Sequence, residues 1–219
     1  MPIRPAPALI VFDIDGTLLE TQRVTVPAVQ RVFSAEGLPV PEAAVICRFF
    51  GRPIEEHFEW LRAQCPAERY AEVAAAIERL ELELIGSEGC LYPGARDVLG
   101  SLKDAGYSLA ICSNGPDDYV DEVLDAHDLR GFFRLVRCRG TRYSGKAEML
   151  GEILGRIAAR PAIVVGDRDD DMSAAHAHGA FAIGAAYGFA AAGELDGADA
   201  VVSALIEVPE FVARLASRR

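Results

Sequence analysis

The fold is decided by residues 8–18, which read A-L-I-V-F-D-I-D-G-T-L. An unbroken apolar run of this length is typical of a short strand buried on both faces of a parallel sheet. The run ends abruptly at Asp13, and Gly16 then permits a tight turn. Ligands of open α/β sheets bind at the carboxyl ends of the strands. The stretch therefore predicts both a first strand and one wall of a polar site.

Further short apolar runs follow and alternate with helical segments such as 147–158 and 203–216. The predicted strands are Tyr107–Cys112, Phe132–Cys138, Pro161–Val165, Ala180–Ile183 and Ala200–Val202. Strands that alternate with helices are typical of a parallel sheet covered by helices on both faces, joined by right-handed crossovers. The sequence therefore predicts an α/β fold with a doubly wound, Rossmann-like core.

One region interrupts this alternation, because residues 20–88 carry no strong strand pattern. Instead they contain amphipathic stretches at Val26–Glu36, Ile54–Gln64 and Ala67–Ile85, separated by glycine-containing turns. We therefore expect a helical insertion at residues 19–89, within a core formed by residues 1–18 and 90–219. Phe58 and Trp60 are expected to belong to the apolar core of this insertion rather than to a ligand-binding surface.

The composition excludes several classes of function. The chain has 219 residues, 51% of them apolar, and a net charge of −11 without a basic stripe, which argues against a nucleic-acid partner. No apolar run approaches the roughly 20 residues that span a bilayer, and the amino terminus does not resemble a secretory signal. Five widely spaced cysteines suit a reduced environment. We expect a cytoplasmic protein without a membrane partner, and a monomer or a homodimer.

Polar residues follow three of the predicted strands and are expected to meet in one crevice. Asp13 and Asp15 follow the first, Ser113-Asn114 another, and Gly166-Asp167 a third, with Asp171 shortly after. Carboxylates in such proximity repel one another unless a cation lies among them. Because the ligands are oxygens, with no nearby His or Cys, the expected cofactor is Mg²⁺ rather than Zn²⁺.

Other polar residues allow simpler interpretations. Asp169 and Asp170 are expected only to favour the positive end of the following helix. Lys146 stands where a helix should begin, which is unfavourable for a cation, and this favours a functional role over a solvated surface lysine. Arg168 could contact an anionic substrate or pair with Asp169 or Asp170.

Over almost its whole length, the chain resembles the haloacid dehalogenase-like phosphatases. Residues 13–18, D-I-D-G-T-L, are similar to the first motif of that family. Ser113 resembles the second motif, Lys146 the third, and Gly166-Asp167 with Asp171 the fourth. The position of the helical insertion is similar to the cap of the subgroup that includes phosphoglycolate phosphatases.

The resemblance implies a role for each matching residue. Asp13 would be the nucleophile that forms an aspartyl-phosphate, and Asp15 the general acid and base. The metal ligands would be Asp13, the backbone carbonyl of Asp15, and Asp167, with Asp171 in support. The substrate-binding residues would be Thr17, Ser113, Asn114 and Lys146. We also expect Arg52, in the cap, to reach a substrate carboxylate or phosphate, unless it is merely solvated.

The expected function is therefore Mg²⁺-dependent hydrolysis of a small phosphorylated metabolite, with phosphoglycolate, nucleotides and sugar phosphates all open. A phosphomutase is the first alternative, although related mutases resemble Glu-Asp where this chain has Gly166-Asp167. A dehalogenase would not need Asp15, and a phosphonate hydrolase of the related type would need a cap lysine, which residues 20–88 lack. A non-catalytic module that binds Mg²⁺ and phosphate also remains open.

Overall fold

The computed structural model describes residues 8–140 and 142–218. Its centre is a sheet of six parallel strands in the order β3-β2-β1-β4-β5-β6. The strands are β1 Leu9–Phe12, β2 Ser108–Ser113, β3 Leu135–Cys138, β4 Ala162–Gly166, β5 Phe181–Ala185 and β6 Ala200–Val202. The predicted doubly wound α/β core is confirmed, and each strand lies within three residues of its predicted bounds.

The strand β1 lies at the point where the order of the sheet reverses. Phe12 is paired with Ile111 of β2 on one side and with Val165 of β4 on the other, so β1 and β4 end within one residue of each other and β2 continues for two residues beyond Ile111. All four residues of β1 are buried. A crevice forms where the connections that follow two neighbouring strands run to opposite faces of the sheet. The residues after β1 and β4 therefore face the same opening.

The described part of the chain contains nine α-helices in addition to the sheet. They are α1 Gln22–Ala35, α2 Ala43–Cys47, α3 Ile54–Gln64, α4 Tyr70–Ser87, α5 Ala95–Asp104, α6 Asp117–Ala126, α7 Lys146–Arg156, α8 Asp169–Ala177 and α9 Val208–Ala216. The alternation of β1 divides the apolar residues into two cores, since Ile10 and Phe12 face one cluster, and Leu9 and Val11 the other. No helix in the described residues is long and apolar enough to cross a membrane.

Two predicted boundaries are wrong for local reasons. The terminal helix was predicted from Ser203, but a 3₁₀ turn at Leu205–Glu207 precedes α9, where Pro209 occupies the first helical turn. The strand β3 starts three residues later than predicted, because Arg130–Phe132 forms another 3₁₀ turn. Neither change affects the carboxyl end of a strand.

The helices α1 to α4 form the insertion between β1 and the rest of the core. The chain enters and leaves it through two segments that pair with each other, since Leu19 and Leu91 form an antiparallel bridge. The amide of Glu20 donates to the carbonyl of Cys90 at 2.8 Å, and the amide of Tyr92 donates to Leu18 at 2.9 Å. The division into a cap at 19–89 and a core at 1–18 and 90–219 stays a prediction, and residues 1–7, 141 and 219 lie outside the described residues.

Candidate active site

Three predicted metal ligands come together at the carboxyl ends of β1 and β4. Asp13 follows β1, Asp167 follows β4, and Asp171 lies in the first turn of α8. Each offers a carboxylate oxygen within 4.8 Å of the others, and all three side chains are buried. The convergence follows from the level ends of the two neighbouring strands.

Lys146 supplies the positive charge of this cluster. Its Nζ donates to Asp13 Oδ2 at 2.8 Å and to Asp171 Oδ1 at 2.7 Å, and the residue is 3% exposed. Burial lowers the pKa of Lys146, but the neighbouring carboxylates raise it by more, so the pKa lies well above its ordinary value. The interpretation as a solvated surface lysine is therefore wrong, and its place at the start of α7 is explained by the acidic cluster.

The residues present fit a divalent cation. Three buried carboxylates face one buried ammonium group, and Oδ1 of Asp13 and Oδ1 of Asp167 accept no hydrogen bond from the described residues. Burial raises the pKa of Asp13 to about 6, although Lys146 opposes this, and raises that of Asp167 to about 8. A hard cation that prefers oxygen ligands would neutralise the excess negative charge and would bind the carboxylate oxygens that lack a hydrogen bond.

Asp15 has a different environment, although it is only two residues from Asp13. Its Oδ1 accepts hydrogen bonds from the hydroxyl groups of Thr21 and Tyr119, both at 2.7 Å. Burial raises the pKa of Asp15, and these two hydrogen bonds oppose the rise. The two hydroxyl groups fix the orientation of the carboxyl group, and Asp15 lines the adjoining cavity.

Thr21 and Tyr119 were not recognised in the sequence. Thr21 occupies the N-cap position of α1, where its hydroxyl would ordinarily cap the helix, yet no such capping bond is made. Tyr119 lies in the first turn of α6 and reads as an ordinary helical residue. Its proximity to β2, whose end was predicted to border the site, is the only available signal.

The other expected phosphate-binding residues, Thr17, Ser113 and Asn114, are all buried. The Oγ of Ser113 accepts the amide of Gly115 at 3.1 Å, and Thr17 Oγ1 has no partner among the described residues. The Nδ2 of Asn114 donates to Asp170 Oδ2 at 2.7 Å and to the carbonyl of Gly51, in the insertion, at 2.9 Å. Asp170 therefore does more than favour a helix terminus, and that prediction is wrong for it.

The two arginines of interest share one carboxylate. Arg52 Nη2 lies 2.9 Å, and Arg168 Nη2 3.0 Å, from Oε1 of Glu194. Arg168 also donates to the carbonyl of Phe189 at 2.6 Å, so its predicted pairing with Asp169 or Asp170 is wrong. Arg52 lines the cavity, but its guanidinium group is bonded to the core. The role of Glu194 was missed, since it lies 142 residues from Arg52.

A cavity of about 450 Å³ lies between the insertion and the core, beside Asp15. Trp60 packs on Phe33 and Phe49, as expected for a core residue of the cap. Phe58 lines the cavity instead, so the expectation that it belongs to the apolar core is wrong. The helical periodicity that placed both residues in α3 could not separate these two surroundings.

The fold and the site together define a doubly wound α/β protein. A buried lysine and a cluster of carboxylates that fits a divalent cation lie at the switch point of its sheet. The sequence model of the haloacid dehalogenase-like hydrolases matches residues 10–185, and the chain belongs to this family.

Curated proteins and solved structures are similar to this chain over most of its length. Phosphoglycolate phosphatase of Caulobacter vibrioides is 28% identical over 214 residues, which are 93% of this chain and 90% of that protein. Tyrosine-protein kinase PtkA of Mycobacterium tuberculosis is 28% identical over 196 residues, or 87% of this chain, but the match spans only 66% of that protein. The structure of a predicted phosphoglycolate phosphatase from Haemophilus somnus shares the fold, with a TM-score of 0.84, 20% identity, and coverage of 97% of this chain and all (100%) of the other.

Proposed function

We propose that this protein is a Mg²⁺-dependent phosphoric monoester hydrolase that acts on a small phosphorylated metabolite through an aspartyl-phosphate on Asp13. The observation that carries the proposal is the cluster of Asp13, Asp167 and Asp171 around Lys146, with two bare carboxylate oxygens, next to a separately held Asp15. The family and the phosphoglycolate phosphatases among the relatives support the same enzyme class.

The first chemical step would transfer the phosphoryl group to the protein. The carboxylate of Asp13 forms a bond to phosphorus, the bond to the ester oxygen breaks, and that oxygen takes the electron pair. Asp15, in its protonated form, would donate a proton to the leaving oxygen, so that an alcohol departs. Burial, which raises the pKa of Asp15, favours the protonated form that this step requires.

The second step would regenerate the carboxylate. Asp15, now ionised, would accept a proton from a water molecule that attacks phosphorus, and the bond between phosphorus and Asp13 would break. The hydrogen bonds from Thr21 and Tyr119 stabilise the ionised form of Asp15 that this step requires. Phosphate then leaves, and Asp15 carries the proton needed for the next cycle.

The remaining residues would hold charge in place. Mg²⁺ would be held by Asp13, the carbonyl of Asp15, Asp167 and Asp171, and would supply neutralisation of the approaching phosphate. Lys146 would hold a carboxylate oxygen of Asp13 and a phosphoryl oxygen, and Ser113, the amide of Asn114, and Thr17 would bind the other phosphoryl oxygens. Positioning and electrostatic stabilisation account for most of the catalysis of phosphoryl transfer.

Gly166 favours hydrolysis over the mutase alternative. A Cβ atom at this position would lie 2.1 Å from Cγ of Asp171, so the glutamate that resembles the mutase motif would displace Asp171 from Lys146. The glycine therefore keeps the cluster as it stands. A hexose phosphate that is isomerised without release of phosphate would contradict this conclusion.

The test is phosphate release from p-nitrophenyl phosphate and from a panel of phosphoglycolate, nucleotides and sugar phosphates, with Mg²⁺ and with EDTA. We expect turnover that EDTA abolishes, and a loss of at least about a thousandfold in Asp13→Asn. Asp169→Asn is the matched control, since Asp169 is exposed at the same edge and lies outside the carboxylate cluster. Equal turnover by wild type and Asp13→Asn would refute the mechanism, and absence of turnover on every ester would leave a binding module.

A further inference from the structure

The cavity beside Asp15 is far larger than a two-carbon leaving group requires. Its volume of about 450 Å³ corresponds to roughly fifteen water molecules at about 30 Å³ each, and lies in the range of pockets for small ligands. Much of its wall is aliphatic or aromatic, and includes Ile46, Phe49, Phe58, Leu61 and Ile77. Since Asp15 would protonate the leaving oxygen, the alcohol part of the substrate would project into this apolar space.

The charged residues of the wall are mostly acidic. Glu78, Glu81 and Asp118 line the cavity, and none of them forms an ion pair with a basic group of the described residues. Glu78 and Asp118 are exposed, whereas Glu81 is half-buried, and burial raises its pKa to about 7, so that it is partly ionised near neutral pH. A leaving group with a carboxylate would therefore meet repulsion from several sides.

The basic residues of the wall do not offset this charge. Arg52 is already bonded to Glu194 at 2.9 Å. His57 is neutral near pH 7, because burial lowers its pKa to about 4. Arg52 is thus the only basic side chain of the described cavity wall that is charged near pH 7, it is held by a carboxylate of the core that it shares with Arg168, and the three unpaired carboxylates outnumber it.

Asn114 provides an independent indication of the ligand. Its side chain lines the cavity, the residue is only 4% exposed, and Oδ1 has no donor among the described residues. The orientation of the amide is fixed, because Nδ2 faces two acceptors, the carbonyl of Gly51 and Asp170 Oδ2. A buried acceptor without a partner is costly, so this oxygen calls for a ligand that donates a hydrogen bond. A carboxylate has no hydrogen to donate, whereas an ammonium group has three.

We propose that the preferred substrate is the phosphate monoester of an apolar, aromatic alcohol that carries a protonated amine. The apolar wall packs against the body of the alcohol, and the amine lies among Glu78, Glu81 and Asp118, on the cavity wall to which Asn114 also belongs. This inference rests on the proposed phosphatase function, and it makes phosphoglycolate a poor substrate in spite of the similarity to phosphoglycolate phosphatases.

Three aryl phosphates test the proposal, because they share the ester oxygen and the ring and differ in the charge of the para substituent. They are 4-(2-aminoethyl)phenyl phosphate, 4-propylphenyl phosphate and 3-(4-phosphonooxyphenyl)propanoate. We expect kcat/KM to fall in that order, with a ratio of at least about tenfold between the amine and the carboxylate, since partly buried charges interact over several ångströms. Equal values for the three esters, or a preference for the carboxylate, would overturn the proposal.

Variants identify the source of the preference. In Glu81→Gln and Glu78→Gln the ratio between the amine and the carboxylate should shrink at least about threefold, and in the double variant it should approach one. Glu72→Gln is the matched control, since Glu72 is exposed on the same helix α4 and does not line the cavity. A ratio that the double variant does not change would refute the assignment of these residues.

The outcomes separate the two proposals. If wild type hydrolyses 4-propylphenyl phosphate at the same kcat/KM as the amine, the inference about the amine fails and the phosphatase function stands. If wild type hydrolyses none of the three esters, nor p-nitrophenyl phosphate, the phosphatase function fails and the inference falls with it.

Discussion

Replacement of Tyr119 by Phe removes one of the two hydroxyl groups that orient Asp15 and leaves the aromatic ring in place. The Tyr119 hydroxyl lies 2.7 Å from Asp15 Oδ1, and both side chains are buried. Thr21 keeps its own hydrogen bond to the same oxygen. The variant therefore tests whether the orientation of Asp15 contributes to catalysis beyond the presence of the carboxyl group.

The size of the effect follows from the hydrogen bond that is lost. A hydrogen bond to a charged group contributes about 1.5–3 kcal/mol, and the bond from Thr21 that remains places the expected loss near the lower value. About 1.5 kcal/mol corresponds to a decrease of about tenfold in kcat/KM. Because the bond from Tyr119 lowers the pKa of Asp15, its loss should also raise that pKa. Since kcat/KM reports the step in which Asp15 donates its proton, the alkaline limb of the pH profile of kcat/KM should move to higher pH.

The assay is steady-state hydrolysis of p-nitrophenyl phosphate across pH, with circular dichroism to verify folding. Tyr107→Phe is the control, since Tyr107 lies just before the amino end of β2, at the opposite edge of the sheet. Tyr107→Phe should behave as wild type. A folded Tyr119→Phe with unchanged kcat/KM and an unchanged alkaline limb would show that Asp15 does not depend on this contact.

Three further predictions concern stability. Lys146→Met leaves Asp13 and Asp171 buried without their counter-ion, and should lower the free energy of unfolding, measured with urea in EDTA, by about 3–5 kcal/mol. The pKa of His57 is lowered from 6.5 to about 4, so the unfolded chain binds a proton at higher pH than the folded chain does. The free energy of unfolding should therefore fall by up to about 3 kcal/mol as pH decreases through this interval, and His57→Gln should abolish that fall. The pKa of Glu81 is raised from 4.5 to about 7, so the free energy of unfolding should fall by up to about 3 kcal/mol as pH increases through this interval. At pH 8, Glu81→Gln should therefore unfold at a higher temperature than wild type. An equal or lower Tm of the variant at this pH would refute the argument.

The fold and the centre of the site could be predicted because their signals are local. A buried parallel strand reads as a continuous apolar run, and the polar residue that ends it marks the edge of the sheet where ligands bind. The apolar runs next to Asp13 and Asp167 in the sequence therefore indicated where these two residues lie in the fold. Lys146 could be singled out for a related reason, since a cation at a helix start requires a partner that offsets the cost.

The wall of the cavity could not be predicted, because its contacts join distant parts of the chain. The hydrogen bond between Tyr119 and Asp15 spans 104 residues, and the ion pair of Arg52 with Glu194 spans 142. The local sequence patterns around Glu194 and Tyr119 do not differ from those of residues on a solvated helix face. Asp170 shows the same limit, since preference for a helix start explains its position in the chain but not its contact with Asn114.

The paired segments at Leu18–Glu20 and Cys90–Tyr92 have an evolutionary consequence. Because Leu19 and Leu91 face each other across an antiparallel bridge, the two cut points of the insertion are neighbours in space. Residues between them can be lengthened, shortened or exchanged for another helical unit while the sheet below keeps its register. New leaving groups can thus be accommodated by changing this unit alone, and the carboxylates beneath it remain at the ends of β1 and β4.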